Sequence, residues 1–280
     1  MKRNKSFSND QNTLYLIASP IGNLSEMTPR AIDILTYADI VGAEDTRNTS
    51  LLLNQFKLTK KLFSLREHNE IEASQKLIEM IKEGKKVAYL SDAGYPGISD
   101  PGFLLVKECI KNNIPVSVIN GSSAFLSGLI PSGLATKHFY FYGFLSAKDS
   151  ECRNELKSLQ NIKDTLIFYE SPHRINRTLK LLLDILGNRE ACIARELTKI
   201  NEEFIRGTLE ELTDIDETTL KGEMVVIIKG NDKESEIDEK TIKNYSKILL
   251  SKGLSKKDCI ETISILLNID KNKIKKIIGY

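Results

Sequence analysis

The chain has 280 residues, 41% of them hydrophobic and 28% charged, with a formal net charge of +2 and four cysteines. This is enough apolar material for one large or two modest cores. The charge balance excludes a strongly basic nucleic-acid coat but leaves room for a local patch. Cys109, Cys152, Cys192 and Cys259 are too scattered for a disulfide framework or a Cys-x-x-Cys zinc site, so reduced thiols and no metal are expected.

Residues 1–12 are polar and basic without an apolar signal core, and no apolar run is long enough to span a bilayer. A loose leader and a cytoplasmic location are therefore expected. Leu14-Tyr15-Leu16-Ile17-Ala18 reads as a first strand. It breaks at Ser19-Pro20-Ile21-Gly22-Asn23-Leu24, and Thr28 with Pro29 opens an amphipathic helix to residue 38. That break holds one glycine, which excludes both the dinucleotide fingerprint Gly-x-Gly-x-x-Gly and a phosphate-binding Gly-Lys-Ser/Thr loop.

Residues 39–43 read as a second strand ending in Glu44-Asp45-Thr46-Arg47. Two carboxylates and a guanidinium at a strand's carboxyl end suit a site, and equally suit a helix cap with a surface ion pair. Glu67-His68-Asn69-Glu70 opens a helix over 71–81, with Gly84 as its stop.

The apolar run Val87-Ala88-Tyr89-Leu90 reads as a buried parallel strand. It leads into Ser91-Asp92-Ala93-Gly94-Tyr95-Pro96-Gly97-Ile98-Ser99-Asp100-Pro101-Gly102, around which the chain is organised. A helix over 103–113 follows, with Asp100 expected at its N-cap and Pro101 at its first position. Ligands of open α/β sheets bind at the carboxyl ends of strands. This loop is longer than an ordinary strand-to-helix turn needs. Its glycines open the backbone, its prolines stiffen it, and Asp92 can accept hydrogen bonds from a ribose or an ammonium.

Residues 115–119 form a further strand before Asn120-Gly121-Ser122-Ser123-Ala124, a helix start that offers amides and caps to a polar ligand. An ordinary capped helix has the same appearance. The pattern shifts near residue 136. Beyond it come a strand at 139–142, a helix at 151–160 and a strand at 165–169. Glu170-Ser171-Pro172-His173-Arg174 then opens a helix to residue 186, with Ser171 as cap and Pro172 at its first position. Its charged residues suit chemistry or the polar first turn alone. Residues 190–194 form a strand ending in Arg195-Glu196-Leu197-Thr198-Lys199, residues 202–207 alternate like an antiparallel strand, 208–212 form a short helix and 224–228 the last strand.

The order predicts two α/β domains, a parallel-sheet domain over 13–136 and a mixed-sheet domain over 137–230. A charged linker at 231–239 follows. A lysine-rich helical region over 240–280 is predicted to hold three helices, at 242–251, 255–267 and 271–278. Its lysines are either a solvated face or an RNA-facing surface.

Five motifs occur in fixed order: residues 14–24, 43–47, 91–94, 168–174 and 194–199. Together they resemble the ribosomal RNA small subunit methyltransferase I family of the tetrapyrrole methylase superfamily, closely over about residues 13–230. Tyr95, Asn120 and Ser122 depart from the family's usual residues, threonine at the first and proline at the other two. The resemblance implies two α/β domains of the tetrapyrrole methylase type with a small helical C-terminal region. It also implies a homodimer and methyl transfer from S-adenosylmethionine to the ribose 2′-hydroxyl of a cytidine in the decoding region of 16S ribosomal RNA, free or in the small subunit.

Carried onto this chain, the resemblance places the cofactor against Asp92, Ala93, Gly94, Ile98, Gly121, Ser122, Ser123, Ala124, Tyr169, Glu223 and Met224. It places RNA past Pro20, Asn23, Arg47, His173, Arg174, Arg195 and Glu196. A ribose hydroxyl needs a base. Glu44, Asp45 and Glu170 are the favoured candidates, with His173 and Glu196 beside them. A corrinoid or uroporphyrinogen methylase and a non-catalytic ribosome assembly factor are the alternative readings.

Overall fold

In the computed structural model the described residues are 12–216, 219–232, 239–267 and 269–279. They divide into a larger unit ending at Gly230 and a smaller one beginning at Asn231. The expected leader lies outside the described residues except for Asn12, and most of the charged linker, 233–238, lies outside them too.

The larger unit opens with a five-stranded parallel sheet. Its strands are β1 (Leu14–Ile17), β2 (Ile40–Ala43), β3 (Lys61–Ser64), β4 (Val87–Leu90) and β5 (Val116–Ile119), in the order β3-β2-β4-β1-β5. Central β4 is buried along its whole length, as a strand covered by helices on both faces must be. The helices are α1 (Pro29–Tyr37), α2 (Thr46–Gln55), α3 (Glu70–Lys82) and α4 (Phe103–Lys111). Two apolar clusters flank the sheet, one with Leu14, Leu77, Tyr89 and Leu105, the other with Ile17, Leu35, Leu53 and Leu90.

The helix α5 (Ala124–Leu129) follows β5 but packs on the second sheet, with Leu129 against Ile167, Cys192 and Val225. That sheet holds β6 (Phe139–Phe144), β7 (Thr165–Glu170), β8 (Glu190–Arg195), β9 (Glu203–Thr208) and β10 (Met224–Ile228), in the order β6-β7-β10-β8-β9. Strand β6 runs parallel to β7, and the remaining pairs are antiparallel. Helices α6 (Asp149–Leu159), α7 (Ile175–Leu186) and α8 (Leu209–Thr213) bury Leu156, Leu179, Leu182 and Leu209 against it.

The smaller unit is α9 (Glu239–Ser251), α10 (Lys256–Leu267) and α11 (Lys271–Ile278), packed around Ile242, Cys259, Ile260, Ile263 and Ile274. Asp270 caps α11 by accepting from the amides of Asn272 and Lys273.

Three details differ from the sequence reading. Strand β3 was not anticipated: it is a four-residue edge strand with no buried residue, so it carries no apolar run. Asp100 does not cap α4. Gly102 holds the cap position at φ 137°, and the buried Glu70 carboxylate reaches across to accept from the amides of Gly102 and Leu104, both at 2.8 Å. Helix α7 begins at Ile175 rather than at Pro172, because residues 171–174 form a turn in which the Ser171 carbonyl accepts from the amides of Arg174 and Ile175.

Candidate active site

The parallel alignment of β1 and β4 brings their carboxyl ends side by side. The loops that leave them are joined: Ser19 N donates to Gly94 O at 2.8 Å and Gly94 N to Ser19 O at 3.0 Å. Beside this joint lies a cleft of about 290 Å³, near the lower end for small-ligand sites. The central loop supplies one wall through Ala93, Gly94, Tyr95, Ile98, Ser99 and Asp100. The start of α5 adds Ser123, Ala124 and Phe125. The second sheet faces them with Phe144, Tyr169, Glu170, Glu223 and Met224, and the turn after β8 contributes Glu196, Leu197 and Lys199.

An aromatic chain stands behind this wall. Phe125 stacks on Phe141 at 4.7 Å between centroids, and Phe141 and Phe144 meet Tyr169 edge-on at 5.0 and 5.4 Å. Burial pushes the Tyr169 phenol up to about 12. Burial likewise pushes the Asp100 carboxyl up to about 7. The carboxylates of Glu44, Asp92 and Glu223 push it the same way, and the Ser91 hydroxyl pulls it back.

Asp100 therefore binds its proton more tightly in the folded chain than in the unfolded one. Its contribution to stability is complete below about pH 4 and is lost as the pH rises through about 7. The full penalty is at most about 4 kcal/mol, and solvent in the cleft cuts it to about 1–2 kcal/mol. Asp100→Asn is expected to be more stable than the parent at pH 8 by that amount. The gap should narrow as the pH falls towards 4, as urea denaturation across this range will read.

Of the residues assigned to the cofactor from sequence, Ala93, Gly94, Ile98, Ser123, Ala124, Tyr169, Glu223 and Met224 line this cleft. Asp92 stands beside it. Its carboxylate accepts from Asp45 N at 3.1 Å and Asn48 Nδ2 at 2.8 Å, tying the end of β4 to that of β2, and it borders a smaller cavity with Pro20. Gly121 exchanges hydrogen bonds with the Tyr95 hydroxyl, and Ser122 donates to Glu26.

Among the residues assigned to RNA, Glu196 lines the cleft. Asn23 caps a short helical turn, and Arg47 borders a shallow groove on α2. His173 lies in a separate basic groove with Arg153, Arg177 and Lys180. Arg195 is paired to Glu203 at 2.6 Å. Arg174 turns inward, donating to Leu145 O at 2.6 Å and ion-paired to Glu170 at 3.3 Å.

The candidate bases are placed very differently. Asp45 caps α2 by accepting from Arg47 N at 2.8 Å. Glu44 is half-buried, and burial raises its carboxyl; the Asp92 amide and the Arg66 guanidinium pull it back. Glu170 lines the cleft, but its side chain is fully buried and accepts from Ser171 N and Thr178 Oγ1 besides holding Arg174. Among the described residues no group of three or more His, Cys, Asp or Glu could hold a metal, and no helix is long and apolar enough to cross a membrane.

Sequence reasoning missed Tyr95, Asp100, Phe125, Phe144 and Lys199 as cleft residues. Asp100 and Tyr95 lie within the central loop, and Lys199 closes the 194–199 motif, so both motifs held a signal. Phe125 and Phe144 had none: Phe125 is a lone aromatic in an apolar run, and Phe144 is one of five aromatics over 139–144 with nothing to set it apart.

Comparison with known proteins agrees with this architecture. Residues 13–213 match the family model of tetrapyrrole (corrin/porphyrin) methylases. The chain is 44% identical over 285 residues to ribosomal RNA small subunit methyltransferase I of Halalkalibacterium halodurans, covering 99% of each. It is 40% identical over 284 residues to the protein of the same name from Bacillus subtilis, covering 98% of this chain and 97% of that one. Among solved structures, the methyltransferase CobJ superposes with a TM-score of 0.59 at 18% identity, covering 78% of this chain and 94% of that one. Uroporphyrin-III C-methyltransferase from Thermus thermophilus, complexed with S-adenosyl homocysteine, does so with 0.55 at 20% identity, covering 78% and 97%. These distant structures share the fold, and the near full-length relatives narrow the family. The chain belongs to the tetrapyrrole methylases and, within them, to the ribosomal RNA small subunit methyltransferase I family.

Proposed function

We propose that this methyltransferase uses S-adenosylmethionine to methylate the ribose 2′-hydroxyl of a cytidine in the decoding region of 16S ribosomal RNA. The observation that carries the reading is the 44% identity, over 99% of both chains, to a protein named for small-subunit ribosomal RNA methylation. When bound, the cofactor supplies an electrophilic methyl group on a sulfonium.

The cleft suits such a molecule. The aromatic chain ending in Phe144 and Tyr169 offers a face to an adenine. Glu223, and Asp100 once it gives up its proton near pH 7, bring negative charge to a cationic ligand. The joined Ser19 and Gly94 loops hold one wall rigid, and the second sheet holds the other, so displacement is favoured by alignment and by exclusion of water.

The expected site residues enter this proposal with distinct parts. Ala93, Gly94, Ile98, Ser123, Ala124, Tyr169, Glu223 and Met224 contact the cofactor, while Asp92 fixes the loop that carries the first three. Glu170 and Arg174 hold the start of α7. RNA approaches over Arg47, His173 and the basic groove on α7. The proposal includes two α/β domains over 13–136 and 137–230, an RNA-facing lysine surface on α9–α11, a cytoplasmic location and a homodimer. The exposed Phe139 and Tyr140 on edge strand β6 give a second copy apolar surface to cover.

The test is incorporation of labelled methyl from S-adenosylmethionine into small ribosomal subunits that lack the modification, followed by mapping of the nucleotide. One 2′-O-methyl cytidine in the decoding region is the expected result. A methylated base or a different region would overturn the specificity, and no incorporation with the cofactor bound would overturn the substrate.

A further inference from the structure

The chain passes from β8 to β9 through residues 196–202, and this turn is strained. Glu196 (φ 50°) and Thr198 (φ 67°) both hold the left-handed conformation. Non-glycine residues keep it only where their surroundings over-determine it, which is common at functional sites. Here the surroundings are two close approaches. A Cβ on Gly222 would overlap the Glu196 carboxylate, and one on Gly22 would lie 2.6 Å from Lys199 Cγ and 3.0 Å from Thr198 Oγ1. Glu196 N also donates to Glu223 O, and Thr198 N to Glu202 Oε2. The result is an ion pair, Lys199 Nζ to Glu196 Oε1 at 2.9 Å, with both residues on the cleft wall and partly exposed.

The other carboxylates nearby are differently engaged. Glu170 is fully buried among three donor residues, Asp45 caps a helix, and Glu44 stands at the Asp92 amide. Asp100 lies on the opposite wall, in the loop assigned to the cofactor, and Glu223 lines the cleft as one of the residues assigned to the cofactor itself. Glu196 is the carboxylate on the cleft wall that a cation pairs with and a constrained turn holds in place.

We propose that Glu196 accepts the proton of the substrate's ribose hydroxyl and that Lys199 positions the Glu196 carboxylate; this rests on the 2′-O-methylation reading above. As the hydroxyl oxygen bonds to the methyl carbon, the carbon–sulfur bond breaks with its electron pair going to sulfur. The hydroxyl proton passes to Glu196, so the sulfonium and the carboxylate charges disappear together. The charged groups around Glu196 are Arg195, Lys199 and Glu202 on its own segment, Glu203 on β9, and Lys221 and Glu223 on either side of Gly222. Residues 19–23 bring none. Asp100 and Glu170 stand elsewhere on the cleft wall.

The test compares the full-length parent with Glu196→Gln, Lys199→Met, Lys199→Arg and Asp100→Asn. Calorimetry reads cofactor affinity, and single-turnover assays read methyl transfer to unmodified small subunits. Glu196→Gln is expected to slow transfer about 10²–10⁴-fold with cofactor affinity within about two-fold of the parent. Lys199→Met is expected to slow transfer about tenfold with cofactor affinity unchanged, because the carboxylate loses the partner that orients it, and Lys199→Arg, which keeps a cation at that place, is expected to recover most of the rate. Transfer by Glu196→Gln within about three-fold of the parent overturns the assignment. So does parental transfer by Lys199→Met, a Lys199→Arg variant as slow as Lys199→Met, or a loss of about 10²–10⁴-fold in Asp100→Asn with cofactor affinity unchanged. A parent that binds cofactor but transfers nothing overturns the functional reading, and the assignment falls with it.

Discussion

Glu170→Ala is expected to lower stability by about 3–5 kcal/mol, the usual cost of removing one partner from a buried charged pair. The Glu170 side chain has no exposure to solvent, while that of Arg174 has 26%. Ser171 N, Arg174 Nη2 and Thr178 Oγ1 donate to the Glu170 carboxylate at 2.8, 3.4 and 2.6 Å. Alanine removes the charge opposite Arg174 and leaves the Thr178 hydroxyl and the Ser171 amide without their acceptor. The melting temperature should fall by roughly 6–15 °C for a unit of this size. The result separates two roles: a base would lose rate with an unchanged melting temperature, whereas this carboxylate, which joins the end of β7 to the first turns of α7, should lose the fold first. An unchanged melting temperature by calorimetry would show that its partners find other acceptors.

Glu70→Ala is expected to act at a distance on the cofactor. Glu70 is buried and gives one oxygen to two backbone donors, Gly102 N and Leu104 N, at the point where the central loop enters α4. Removing it leaves two amides unpaired, a cost of about 2–4 kcal/mol. The loss falls on one end of the loop whose other end is joined to Ser19. Tyr95, Ile98, Ser99 and Asp100 line the cleft between these anchors, so their order in the free protein is part of the binding free energy. Cofactor affinity should fall about tenfold or more, because a loosened wall must be ordered on binding. Glu70→Gln keeps an acceptor oxygen and should recover most of both effects. Equal affinity in Glu70→Ala and the parent, by calorimetry, would show that the Ser19–Gly94 joint alone holds the loop.

Much of the fold was readable along the chain, and the reasons are local. Val87–Leu90 is continuously apolar because it is covered on both faces, whereas β9, expected to alternate over 202–207, is an edge strand with no buried residue and no alternation in its burial. Thr28 caps α1, Thr208 caps α8 and Asp270 caps α11 through bonds that span two or three residues. Strand β3 was not readable, because an edge strand of four half-exposed residues carries no periodic signal.

The site divides along the same line. The central loop, the start of α5 and the 194–199 motif announced themselves through residue type and spacing, and eight of the eleven residues assigned to the cofactor line one cleft. Which carboxylate does what was decided only in three dimensions. The Glu70 carboxylate replaces Asp100 as the partner of the amides that open α4, across more than thirty residues of chain. Glu170 is consumed by residues on α7, and Asp92 by residues on and before α2. Lys199 meets Glu196 because Gly22 and Gly222, from opposite ends of the larger unit, lack the side chains that would exclude them. Sequence alone determined the elements and the loops between them, since caps, turns and periodicity act over a few residues. The protonation, partners and accessibility of each acid depend on groups that only the folded chain brings together.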